Sequence, residues 1–427
     1  MAVRLACWLR RWVGYGSFLL AIVLAGSAIA NVGTQELILA HGSGLQAELV
    51  AVTGEGLLEF RTSDGIRTVS PNKLVRWSTP LLPTAASELH LIDGSRLALA
   101  DAWLGESALE VTAEQVSATS GLLKQVTFPR ELLRAVVLGA PALAFDRARR
   151  VDQLLNLKGP GDRLLLANDD RFAGQLVSVT AEKTVLFETD LGRLEFEERR
   201  VAGIACPKQD LQPRVGTLAV GLQDGSYLLA DKLVADADRL VVHLAGGIKL
   251  VGANVSQIAS LQPFGPAVTY LSDLQPADYQ HVPYLDIPWP WRADRNVLGG
   301  PLVVAGRMVA KGLGTHSASR LTYQLNRPDV TDDQPIGFNH FAAELAIDDA
   351  ADGQGSAVFR VYLLQQGIWQ LAHTSDVLRG GQAPVPVEVE LRGAEAIALE
   401  TDYADQGDQR DYANWLDARF ISGPAAK

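Results

Sequence analysis

One rhythm recurs four times across residues 31–262: an apolar run, a tight polar turn, then further short apolar runs. The copies read ELILAHGSGLQAELVAV from Glu36, ELHLIDGSRLALADAWL from Glu88, DRLLLANDDRFAGQLVSV from Asp162 and GTLAVGLQDGSYLLADKLV from Gly216. Their turns centre near Gly42, Gly94, Asp170 and Gly225, at intervals of 52, 76 and 55 residues, so the middle interval carries an insertion. Repetition at such a period means one structural unit copied in tandem. It lacks the strand–helix alternation of a (β/α)8 barrel.

Within each copy the pattern is β. In the third, Asn-Asp-Asp-Arg joins two strand-like runs, as Asp-Gly-Ser does elsewhere. A second hairpin follows, as in TVLFETDLGRLEFEE at Thr184–Glu198, and then a closing run such as RRVAGIAC at Arg199–Cys206. Five short strands per copy predict a small Sm-like or related closed barrel, because closure removes exposed strand edges. An elongated sandwich made from pairs of copies fits the same pattern. Residues 31–140 then hold two units and 162–262 two more. Between them, Val151, Leu154, Leu155 and Leu157 mark one face of a linker helix within 141–161, stopped by Gly159-Pro160-Gly161. Arg147, Arg149 and Arg150 read as its solvated face. Cys206 reads as a small buried apolar residue.

From Phe264 the texture changes, and Pro283, Pro288, Trp289, Pro290 and Trp291 crowd together. Beyond them FAAELAID at Phe341–Asp348, SAVFRVYLL at Ser356–Leu364 and VPVEVEL at Val385–Leu391 read as strands, the last with strict alternation. Short strands with almost no helix over 264–421 indicate a jelly-roll sandwich.

Five collinear segments of this region carry a family signature. They are Ser272-Asp273-Leu274; Lys311-Gly312-Leu313-Gly314-Thr315-His316 running on to Ser319-Arg320-Leu321-Thr322-Tyr323; Asp348-Asp349 followed by Gly355; Phe359-Arg360-Val361; and DYANWLDA from Asp411. Together they resemble the NPCBM family, carbohydrate-binding modules first noticed beside family 98 glycoside hydrolases. The resemblance implies a galactose-binding-like β-sandwich and a glycan as partner. The family typically reads Asp-His-Ala-Asp-Trp where this chain has Asp411-Tyr412-Ala413-Asn414-Trp415, so Tyr412 and Asn414 are departures.

A sugar site needs flat aromatic faces for the C–H patches of a pyranose and short polar groups for its hydroxyls. Trp289, Trp291, Trp369 and Tyr403 are the aromatic candidates, and Asp411 and Asn414 lead the polar ones. Stiff, preorganised rings bind with little entropy loss. The competing reading makes the tryptophans plugs for one end of the sandwich. Trp415 reads as core and His316 as a hydrogen-bonded structural histidine. Asp348, Asp349 and Asp352 cluster in a turn of hard oxygen ligands, the type calcium requires, and make a structural calcium the cofactor to consider.

The chain's 427 residues bear a formal net charge of -11, which argues against nucleic acid or an anionic membrane as partner. Arg4, Arg10 and Arg11, the apolar run from Phe18, and Ala28-Ile29-Ala30 form a secretory signal cut after Ala30, with an uncleaved anchor as the rival. No further apolar run spans a bilayer. Neither a nucleophile elbow nor an HExxH, Walker or dinucleotide motif occurs. The expectation is therefore an exported, non-catalytic glycan-binding protein of the periplasm, cell surface or medium. The alternative is a structural or protein-interaction component of the cell envelope with a vestigial sugar site.

Overall fold

The computed structural model describes residues 34–422 apart from 41–43, 101–106, 208–215, 266–267, 285–286, 326–337, 392 and 406. The expected signal at 1–30 lies outside the described residues. The rest is all-β around a single α-helix among the described residues.

The first copy comprises β1 (Gln35–Leu39), β2 (Leu45–Val52), β3 (Leu58–Thr62), β4 (Gly65–Val69) and β5 (Leu74–Trp77). In the second, β6 (Glu88–Leu91) is followed by β7 (Arg96–Ala98), β8 (Leu109–Val111), β9 (Gln115–Ala118), β10 (Val126–Pro129) and β11 (Leu133–Val137). The helix α1 (Ala144–Leu155) leads into β12 (Asp162–Leu166), β13 (Arg171–Val179), β14 (Thr184–Thr189), β15 (Gly192–Glu197) and β16 (Val201–Ala205). The fourth copy is β17 (Leu218–Leu222), β18 (Tyr227–Ala235), β19 (Leu240–Leu244), β20 (Lys249–Gly252) and β21 (Ile258–Pro263).

Each copy is a small barrel-like unit whose first strand pairs antiparallel with both its second and its last: β1 with β2 and β5, β6 with β7 and β11, β12 with β13 and β16, β17 with β18 and β21. The long second strand slips register at Leu49/Ala51, Leu176/Ser178 and Ala230/Lys232. Such bulges bend a strand enough for the sheet to curl back on itself. A single 3-10 turn precedes every closing strand, at Pro71–Lys73, Arg130–Leu132, Glu198–Arg200 and Val255–Gln257.

The copies also pair with one another, out of chain order. Strand β5 meets β21 at Trp77 and Leu261, and β2 meets β18 at Val52 and Ala235, joining the first copy to the fourth. In the same way β11 lies along β16 and β8 touches β13 at Val111 and Val179, joining the second to the third. The arrangement combines the two readings of the repeat, since barrel-like closure within copies coexists with pairing between them. Their apolar residues merge into one core that includes Phe60, Trp77, Leu133, Phe187 and Leu261. Cys206 is buried in it. Leu154 of α1 packs on Val137, Leu165 and Ala202. Of the arginines expected on a solvated helix face, Arg149 is 74% exposed but Arg147 is buried, because its guanidinium turns inward to the Ala85 carbonyl, 2.8 Å away.

The C-terminal part is a two-sheet sandwich. Its strands are β22 (Val268–Tyr270), β23 (Asp278–His281), β24 (Arg292–Ala293), β25 (Leu302–Val304), β26 (Arg307–Val309), β27 (Gly312–His316) and β28 (Ser319–Gln324). They continue with β29 (Phe338–Ile347), β30 (Ser356–Gln365), β31 (Ile368–Thr374), β32 (Leu378–Arg379), β33 (Val385–Glu390), β34 (Ala396–Tyr403) and β35 (Tyr412–Ser422). One sheet runs β24-β27-β35-β29-β33 with β22 also on β35; the other runs β23-β28-β34-β30-β31 with β32 on β30. Phe341, Phe359, Trp415 and Phe420 fill the space between. The alternation in VPVEVEL is realised from Val387 on, with Val387, Val389 and Leu391 buried and the intervening glutamates exposed, whereas Val385 at the strand's start is exposed.

This sandwich is seated on the repeats. Ala40 and Val75 pack against Val268, Tyr270, Ala342 and Ile421. Arg76, 5% exposed, donates from Nε to Asp417 at 2.7 Å and from Nη2 to Glu344 at 3.0 Å. Its three acidic neighbours, Asp417, Glu344 and Glu36, outweigh the cost of burial and raise its pKa further.

Candidate functional site

Strands β27 and β35 pair along their length, which sets His316 opposite Tyr412 at one end. The Pro-rich segment after β23 passes over that end. Its prolines lack the N–H groups a ladder needs, so the chain is held by side chains instead. The Trp289 N–H donates to His281 Nδ1 at 3.2 Å, and the Tyr279 hydroxyl donates to the Trp289 carbonyl. These bonds lay the Trp289 ring flat on His316, with centroids 4.6 Å apart and planes 3° from parallel. Tyr412 stands 6.2 Å from Trp289 and 6.0 Å from His316, tilted against both. His281 meets His316 edge-on at 6.2 Å.

A second pair of rings continues this surface. The Tyr403 hydroxyl donates to the Val282 carbonyl at 2.7 Å, and Tyr284 packs edge-on against Tyr403 at 6.0 Å. Tyr284 is 61% exposed. His316 accepts no such exposure: it is buried, and its Nδ1 lies 2.9 Å from the Ser317 carbonyl. Burial lowers its pKa, which keeps the imidazole neutral and suited to stacking. The result is a partly exposed ring surface with flat faces, the chemistry that covers apolar patches of a sugar.

Behind the rings lies a polar layer. Asp411, fully buried, accepts from Ser317 Oγ at 2.5 Å and from the Ser356 N–H at 2.8 Å. Burial pushes its carboxyl up to about 6. Gly355 keeps this corner tight: its φ is +78°, and a Cβ there would sit 2.1 Å from the Arg410 carbonyl oxygen. Asn414 is also fully buried and donates to Asp348 at 2.7 Å. Asp348 accepts in addition from Asn296 at 2.9 Å, from the Val303 N–H at 3.1 Å and from the Ala350 N–H at 3.0 Å.

The six expected sugar contacts therefore divide. Trp289 and Tyr403 belong to the ring surface. Trp291 does not share it; it packs against the apolar core of the sandwich, because Pro290 breaks the alternation that would align the two tryptophans. Trp369 lies on β31, where the Arg320 guanidinium is held between its ring and that of Tyr362, at 4.7 and 4.8 Å. Asp411 and Asn414 face protein groups rather than solvent. Tyr284, Tyr412 and His281 were not singled out as contacts. Only the density of aromatic residues in the segment hinted at Tyr284, and Tyr412 stood out merely as a departure.

The acidic turn offers no shared oxygen cage. Asp348 faces four N–H donors, Asp349 accepts from the Ala305 and Gly306 N–H groups at 2.9 and 2.8 Å, and the Asp352 side chain is 87% exposed. Among the described residues no three His, Cys, Asp or Glu side chains gather as a metal set. The donor chemistry here thus suits a turn stapled by hydrogen bonds better than calcium.

Residues 267–421 match the model of the NPCBM/NEW2 domain. Two curated relatives align with 129 residues, 30% of this chain. One, from Renibacterium salmoninarum, is named as an endo-alpha-N-acetylgalactosaminidase; it is 31% identical, and the match covers 8% of its length. The other, alpha-1,3-galactosidase B of Akkermansia muciniphila, is 30% identical over 15% of its length. The chain thus corresponds to a small part of either relative. Among solved structures, the CBM51 of Clostridium perfringens GH95 in complex with methyl-galactose is 21% identical, with a TM-score of 0.31, covering 36% of this chain and 99% of that one.

Proposed function

We propose that, with residues 267–421 forming an NPCBM domain, this protein binds glycans without cleaving them, through the ring surface of Trp289, Tyr412, Tyr403 and Tyr284. The observation that carries this reading is the Trp289 ring, laid parallel on the buried His316 at 4.6 Å and itself only partly buried. A ring held by hydrogen bonds on both sides of its own peptide is preorganised, so little entropy is lost when a pyranose stacks on it. The repeats at 31–262 act as a rigid support, to which the Arg76 clamp fastens the sandwich. Among the described residues no helix is long and apolar enough to cross a membrane. We place the protein outside the cytoplasm on the strength of the signal-like segment at 1–30.

The test is a glycan array with the full chain, followed by titration calorimetry on any glycan bound. Trp289→Ala is expected to weaken binding roughly tenfold or more, as loss of a central aromatic anchor does. Trp291→Ala is expected to act only through stability. Calcium and a chelator form a further arm, in which equal affinity is expected, given the N–H donors around Asp348. Binding to no glycan in either condition would leave the envelope-scaffold alternative standing. Release of free sugar from a bound glycan would overturn the non-catalytic assignment.

A further inference from the structure

A cavity of about 680 Å³ lies where the second and fourth copies, α1 and the sandwich meet. Its size falls within the range of small-molecule pockets. Leu82, Val151, Leu155, Leu229, Met308 and Val309 give it apolar walls. Its floor is charged. Glu88 lines it, is 1% exposed, and has no hydrogen-bond partner on either carboxylate oxygen. Three nitrogens approach that carboxylate without closing on it: Arg96 Nε at 3.6 Å, His90 Nε2 at 3.8 Å and Arg147 Nη1 at 3.9 Å.

Burial pushes His90 down to about 4, so it is neutral near pH 7 and two guanidiniums share one carboxylate. The Arg96 Nε–H also has no acceptor. Both arginines are anchored, Arg96 through Nη2 to the Gly225 carbonyl at 2.9 Å and Arg147 through the same Nη1 to the Ala85 carbonyl at 2.8 Å. The other cations around the cavity are already matched. Lys311 reaches Asp273 at 2.5 Å and Asp294 at 2.9 Å, and Arg295 reaches Asp152 at 2.8 Å. Arg96 and Arg147 thus share a single carboxylate, and a guanidinium N–H without an acceptor under apolar walls is costly when left alone and favourable beside an anion. Arginine presents such an anion with a fork of charge-assisted donors.

We propose that this cavity binds an organic monoanion, a carboxylate held by Arg96 and Arg147 on an apolar body packed against Leu155, Leu229 and Val309. Glu88 lies behind the two guanidiniums as the counter-charge that positions them. The site is composite, since its floor comes from the repeats, one wall from α1 and another from the sandwich. Its lining shares no residue with the ring surface.

Anilinonaphthalene sulfonate, a fluorescent apolar anion, is the probe, displaced from the full chain by octanoate, octanol or octylamine. Octanoate is expected to displace it at a concentration roughly tenfold lower than either competitor, as a charge-assisted contact warrants. Arg96→Gln and Arg147→Gln should each abolish that preference, and Arg147→Lys should restore part of it. Ala148→Trp fills the cavity from α1 without changing charge and should remove probe binding, with the fold checked by circular dichroism and glycan binding retained. Octylamine competing as well as octanoate would overturn the proposal. So would unchanged octanoate affinity in folded Arg147→Gln or in folded Ala148→Trp.

Discussion

The sandwich meets its surroundings in two unlike ways, and the same two segments of chain, Lys311–Tyr323 and Asp411–Phe420, supply both. Toward the repeats they contribute Lys311 and Asp417. Lys311 is saturated by two aspartates and lies 5.3 Å from the Phe264 ring centroid. Asp417 takes Arg76 on one oxygen and Gln262, at 3.3 Å, on the other. At the ring surface the same paired strands contribute His316, buried beneath the Trp289 ring, and Tyr412, which is only partly covered. Buried charge that is fully answered from within the chain builds architecture. Rings that are stacked on a buried partner and only partly covered are what a ligand can use.

The largest expected effect breaks the first half of that contrast. Arg76→Ala leaves Asp417 and Glu344 facing each other in a buried junction without their cation. It should cost about 3–5 kcal/mol of unfolding free energy, the usual penalty for an uncompensated buried charge. Denaturant unfolding of the full chain measures it. A loss comparable to that of an exposed pair such as Arg61–Glu48, about 0.5 kcal/mol, would show that the junction is not a clamp.

A second, pH-dependent effect probes the polar layer behind the rings. Burial raises the Asp411 carboxyl from 3.8 to about 6 in the folded chain. The folded state then holds the proton more tightly than the unfolded state, so this group's contribution to stability is complete below about pH 3.8 and is lost as pH rises through about 6. The full span is roughly 3 kcal/mol at most. The difference in unfolding free energy between the natural chain and Asp411→Asn should therefore decline from pH 4 to pH 6 and stay level above. A difference that rises over that interval would mean that the Ser317 and Ser356 donors outweigh burial.

Local signals in the sequence reached far into this fold. The turns at Gly94, Asp170 and Gly225 marked real hairpins, because a tight Asp-Gly or Asn-Asp turn between apolar runs has few other solutions. The alternation at Val385–Leu391 and the Lys311–Tyr323 segment likewise became strands, the first with Val387 and Val389 inward but Val385, at its start, exposed. The partnering of the first copy with the fourth was not legible, since it rests on contacts such as Trp77 with Leu261 that lie far apart in sequence. The site was half legible. Aromatic residues among prolines announced a ring surface, but which rings face outward depends on where Pro290 breaks the strand. The burial of Asp411 and Asn414 depends on Ser317, Ser356 and Asp348, each supplied by a separate strand or corner. A short polar residue beside a tryptophan looks the same in sequence whether it meets a sugar hydroxyl or a buried serine.

The smallest stability effect carries the most information about the rings. Trp415 is fully buried between Phe359, at 5.1 Å, and Phe341, at 6.2 Å, and its Nε1 donates to Thr401. Truncating it to alanine should cost about 3–5 kcal/mol, as for other large core residues. Trp289 touches His316 and Tyr412 with part of its surface, and ring pairs of this kind contribute about 0.5–1.5 kcal/mol. Trp289→Ala should therefore lower unfolding free energy by only about 1 kcal/mol while removing most glycan affinity. The two measurements belong together. If Trp289→Ala instead destabilises the chain as much as Trp415→Ala does, its ring is a plug for the end of the sandwich, and the distinction between answered and unanswered surface fails at the residue where it matters most.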